Sequence, residues 1–82
     1  MFAILVTEGD NVGLFGRVYS DDESEVAVGD CFGYIFEELA CVADVEEPET
    51  LPERDILRLY DKHPGMRRYE VVNLNVLNIF KF

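Results

Sequence analysis

The chain opens on an alternation of apolar side chains. Phe2, Ile4 and Val6 fall on one side of an extended segment and Ala3, Leu5 and Thr7 on the other, which predicts a buried strand over residues 2–6. Gly9-Asp10-Asn11 follows with turn chemistry, since glycine and asparagine reach positive φ at little cost. A second strand is predicted over 12–19. Val12, Leu14 and Val18 share one face and Phe15, Arg17 and Tyr19 the other, while Gly16 marks a bulge or a close backbone approach. The run from Ser20 to Glu25 reads as a solvated acidic turn, and Val26 and Val28 as a short third strand ending at Gly29-Asp30.

The stretch 31–43 satisfies two patterns. Phe32, Ile35, Phe36, Leu39, Val42 and Ala43 fit a helical face with Asp30 as N-cap. Gly33 and the aromatic and β-branched neighbours favour strand, and strand is preferred through Phe36. Residues 44–50 read as a loop. Thr50-Leu51-Pro52-Glu53 has the form of a capping box and predicts a helix over about 51–63, stopped by Pro64-Gly65. On it Ile56, Leu57 and Tyr60 face inward; Arg54, Arg58 and Lys62 form an outward stripe that would pair with acids of the body or meet an acidic partner. Val72, Leu74, Val76, Phe80 and Phe82 alternate, so 70–82 is predicted as one strand, or two split near Asn75 to Asn78. The expected fold is mainly β with one short helix (α+β). It is a single domain spanning 1–82, a small antiparallel sheet or barrel with Ile4, Val6, Leu14, Val18, Val72, Leu74 and Val76 in its core.

Length sharpens this picture. A chain of 82 residues buries only about 60–65% of its unfolded surface, so its stability margin is thin. Charge sharpens it further. Residues 1–53 hold fourteen acids against one base, Arg17, and residues 54–82 hold six bases against three acids, for a net −10. That field repels phosphate backbones and anionic lipid, so no direct nucleic-acid or membrane partner is expected. No apolar run approaches the roughly 20 residues of a membrane span. The opening MFAILVTEGD lacks a basic n-region, so the expected compartment is the cytoplasm, with Cys31 and Cys41 as reduced, apolar-packed thiols.

Two segments resemble a known family. Gly9-Asp10-Asn11-Val12-Gly13-Leu14, then Arg17-Val18 and Val28-Gly29-Asp30, resemble domain II of the translational GTPases such as elongation factor Tu, and the C-terminal VVNLNVLNIFKF is loosely similar to a strand of that domain. The family places that strand before the glycine turn, so the match requires a circular permutation, and the helix at 51–63 has no counterpart there. The resemblance implies a small closed β-barrel, and with it an alternative function on RNA or the ribosome.

Few constellations carry chemistry. His63, the single histidine, sits in the last helical turn, where the dipole favours its charged form. Asp21, Asp22, Glu23 and Glu25 could attract a hard cation, but they lack the spacing of an EF-hand and read as a solvated turn. No phosphate loop, nucleotide fingerprint or nucleophile elbow is present, and no cofactor or metal is expected. An enzyme would have to use carboxylates made unusual by burial, such as Glu37 or Glu38. The favoured function is a non-enzymatic protein-binding module, of the inhibitor or immunity type, that masks a basic protein surface. Asp21, Asp22, Glu23 and Glu25 form one candidate contact group. Glu37, Glu38, Glu46, Glu47 and Glu49 form a second, and Tyr19, Tyr34 or Phe36 would supply an aromatic anchor near these acids, with Tyr34 preferred. Oligomeric state is left open by the sequence.

Overall fold

A computed structural model describes residues 1–77 of the chain. Strand β1 (Phe2–Glu8) turns through Gly9–Asn11 into β2 (Gly13–Tyr19). A 3-10 turn, Asp21–Glu23, leads into the long helix α1 (Ser24–Val42). A second 3-10 turn, Pro48–Thr50, precedes α2 (Glu53–Lys62), and the chain returns as β3 (Arg68–Asn73) before one helical turn, α3 (Leu74–Leu77). The three strands form an open antiparallel sheet in the order β2-β1-β3. Helix α1 lies across one face of it.

The fold is therefore helix-rich α+β, and the expected mainly-β sheet or barrel is overturned. An open sheet covered by a 19-residue helix also replaces the closed barrel that the family resemblance implied. The strand expected at Val26 and Val28, and the strand preference through Phe36, both fall inside α1. Asp30 is an interior helical residue instead of a cap. The cause lies in burial. Ala27, Cys31 and Leu39 are buried on one helical stripe with Tyr34 and Ile35 beside them, and covering the sheet with that stripe outweighs the local strand preference of valine and the aromatics. The acids of 21–25 sit at the helix entrance, where the dipole favours negative charge.

The core joins Ile4 and Val6 of β1, Tyr19 of β2, Ala27 and Cys31 of α1 and Tyr69 of β3, with Phe2, Phe15, Tyr34, Ile35 and Val71 packed around it. Ile4 and Val6 are buried as expected, but Leu14 and Val18 are 62% and 45% exposed. In β2 the inward set is Phe15 and Tyr19. Gly16 adopts φ +75°, and Phe15 pairs with Ile4 while Tyr19 pairs with Phe2, so two extra β2 residues are bulged out between them. That bulge brings two large aromatics onto the helix-covered face, where each buries more apolar area than leucine or valine would. Val72 and Leu74 are half-buried, and the Val76 side chain lies outside the described residues. The strand expected over 70–82 is present only as Arg68–Asn73; it gives way to helix at Leu74, and 78–82 lie outside the described residues.

The β1–β2 turn is as the sequence indicates. Gly9 has φ +89°, and a β-carbon there would come within 3.0 Å of the Arg67 backbone, so both conformation and space demand glycine. The helix expected over 51–63 is present as Glu53–Lys62, but its capping differs. Pro52 occupies the N-cap, and the Thr50 hydroxyl donates to the Glu47 carbonyl at 2.7 Å, so the predicted Thr50 cap is not formed. No described helix is long and apolar enough to cross a membrane.

Candidate functional site

Helix α2 alternates charge and apolar side chains sharply, yet none of its residues is fully buried. Its apolar face stands off from α1 and leaves a groove of about 730 Å³. Phe32, Ile35 and Phe36 of α1 form one wall and Ile56, Leu57 and Tyr60 of α2 the other. Arg68, Tyr69 and Glu70 of β3 and the end of β1 close the third side. Phe32 and Phe36 lie one helical turn apart with ring centroids 5.8 Å apart and planes at 26°, so they form a continuous aromatic shelf. Phe32 is 49% exposed and Leu57 is 45% exposed.

Charge surrounds this apolar floor. Glu8, Glu49, Glu53 and Glu70 line the groove against one cation, Arg68. Arg68 is already engaged: its guanidinium lies 4.5 Å from the Tyr60 ring centre and 3.6 Å from a Glu8 carboxylate oxygen. It thereby fastens α2 to β3. Burial raises the pKa of the Tyr60 hydroxyl, with Arg68 opposing that shift, and burial likewise raises Tyr69. Both phenols stay neutral donors around physiological pH.

The expected acidic residues divide into separate places. Asp21, Asp22, Glu23 and Glu25 cluster at the start of α1, and three of them are held within the chain, Asp22 by accepting the Ser20 hydroxyl at 2.6 Å. Asp21 pairs with the Met1 amino group, and Glu23 pairs with Arg17 at 3.3 Å. Glu23 also accepts the Ser20 N–H at 3.0 Å; that bond, with Arg17, lowers its carboxyl to a pKa of about 2. Glu46 and Glu47 project from the loop after α1, and only Glu49 of the expected set reaches the groove.

Glu37, Glu38 and Tyr34 line a smaller cavity of about 250 Å³ with Phe15, Cys41, Arg67 and Tyr69. There Glu38 accepts the Arg67 backbone N–H at 3.2 Å. Tyr34 is half-buried and packs edge-on against Phe15, with centroids 4.8 Å apart, so part of its ring is committed to the margin of the core. The Arg67 guanidinium lies over Phe15 and Tyr69, and its Nε is buried without a hydrogen-bond partner among the described residues. Cys31 is buried, and that burial raises its thiol pKa, whereas Cys41 is exposed and so departs from the apolar packing expected of both cysteines.

Arg58 forms an ion pair with Asp55 of its own helix, 3.9 Å apart, instead of with the acidic body. Among the described residues, no group of three or more His, Cys, Asp or Glu is placed to hold a metal ion. Sequence reading missed Phe32, Leu57, Tyr60, Glu53, Glu70 and Arg68 as members of one site. No local signal marks them: Ile56, Leu57 and Tyr60 read as an inward face, and Phe32 joins them only once 24–42 is read as helix. Neither a protein-family model nor a curated protein nor a solved structure matches the chain.

Proposed function

We propose that this chain is a non-enzymatic module that binds a protein with a basic surface and masks it. One observation carries the reading: an apolar groove with half-exposed Phe32 and Leu57 is rimmed by four carboxylates. Isolated exposed apolar side chains are ordinary, but a concave apolar shelf with a charged border is the usual form of a recognition surface. The apolar floor supplies anchoring area, and the carboxylates speed encounter with cations and select against anionic partners. A net charge of −10 extends that attraction beyond the groove.

The test is capture from native extract at low salt, salt elution and identification, followed by association kinetics with the purified partner. The reading expects a basic partner whose association rate falls steeply with ionic strength, and slows further when Glu49 and Glu53 are changed to lysine. A partner whose association ignores both salt and charge reversal contradicts it.

A further inference from the structure

The groove meets β3 at its first three residues. Successive side chains of a strand point to opposite faces, so a space bounded by three consecutive residues, Arg68, Tyr69 and Glu70, with Thr7 and Glu8 at the end of β1, wraps the end of the sheet where β3 begins and reaches the rim of that strand. β3 is outermost in the order β2-β1-β3, and its inner side is taken by β1 from Phe2↔Asn73 to Val6↔Tyr69 without a break. The outer row of β3 peptide groups has no backbone partner among the described residues. The opposite edge of the sheet is protected differently. β2 carries the bulge at Gly16, a feature that twists an edge away from further pairing, whereas β3 has no such interruption between Tyr69 and Asn73.

We propose that an extended segment of the partner, alternating lysine or arginine with valine, isoleucine or leucine, adds as a fourth strand to β3. This deepens the reading of the chain as an acidic binding module and rests on it. Backbone hydrogen bonds to β3 set the register. The segment's apolar side chains enter the groove against Phe32, Ile56 and Leu57, and its cations meet Glu49, Glu53 and Glu70. Neither an acidic strand nor a purely polar basic one satisfies both the floor and the rim.

The test uses the intact protein and a short labelled peptide alternating valine with lysine, titrated by fluorescence anisotropy at low salt. Three control peptides accompany it: the same sequence N-methylated at alternate residues, its valine–glutamate counterpart, and a lysine–serine peptide of equal charge. Strand addition predicts binding of the first peptide, at least about tenfold weaker binding of the N-methylated and lysine–serine peptides, and none of the acidic one. It also predicts slowed amide exchange across β3 on binding, and about tenfold weaker binding by the Leu57→Asp variant, whose site is already half-exposed. Equal binding of the valine–lysine, N-methylated and lysine–serine peptides would overturn strand addition while leaving an acidic module that binds basic partners. Failure of every basic peptide to bind would overturn both.

Discussion

The Tyr19 hydroxyl donates to Asp30 Oδ2 at 2.6 Å, tying the end of β2 to the second turn of α1. Tyr19 is buried, so this bond fixes where the helix lands on the sheet, and with it the position of the Phe32–Phe36 shelf one turn further on. The carboxylate and burial together push the Tyr19 hydroxyl to a pKa of about 12 from an ordinary value of 10.0.

A raised folded pKa sets an alkaline limit. The contribution of Tyr19 is complete below pH 10 and is lost as pH rises from there through about 12, because the unfolded chain gives up the proton first. Tyr19→Phe should cost about 1–2 kcal/mol at neutral pH and flatten stability loss in that window. Chemical denaturation at neutral pH and across the alkaline range measures both.

Glu23 sets the acid side. Its carboxyl lies at about 2 when folded, lowered first by the Ser20 N–H and then by Arg17. The contribution is present above the ordinary value of 4.5 and is lost as pH falls from there toward 2. Glu23→Gln should shrink the acid-dependent part of the melting curve while leaving neutral-pH circular dichroism unchanged.

The exchange of inner and outer faces on β2 makes a paired prediction. Leu39 is fully buried in α1, so Leu39→Ala should destabilise by about 2–5 kcal/mol. Leu14, which strict alternation places in the core, is largely exposed, and Leu14→Ala should fall within about 0.5 kcal/mol of wild type. Denaturant midpoints separate the two directly.

Thr50→Ala should cost about 0.5 kcal/mol or less, because its hydroxyl makes a solvent-exposed bond to Glu47 and caps no helix. A loss near 1.5 kcal/mol would restore the capping role.

Strong local chemistry made part of this fold legible. Gly9-Asp10-Asn11 announced its turn, Gly16 its bulge, and Pro64-Gly65 the end of α2, because glycine and proline restrict or release the backbone whatever surrounds them. Helix α1 was obscured because Val26, Val28 and the aromatics carry strand propensity, while the decisive stripe of Ala27, Cys31, Ile35 and Leu39 gains meaning only against a sheet assembled from distant segments. The site was hidden for the same reason. Glu8, Phe32, Leu57 and Glu70 are far apart in the chain, and no local pattern joins them before α1 and α2 are placed. Charge asymmetry drew attention to the acidic body, where the structure ties Asp21 and Glu23 into internal pairs and directs Glu49 to the groove.

Whether recognition occurs in the acid-rimmed groove is read from a backbone amide chemical-shift map of the isotope-labelled protein titrated with the valine–lysine peptide. Binding in the groove concentrates the shifts at Phe32, Phe36, Leu57, Tyr60 and Arg68–Asn73, with little change at Asp21–Glu25. Shifts centred on Asp21–Glu25, with β3 and α2 undisturbed, would contradict it.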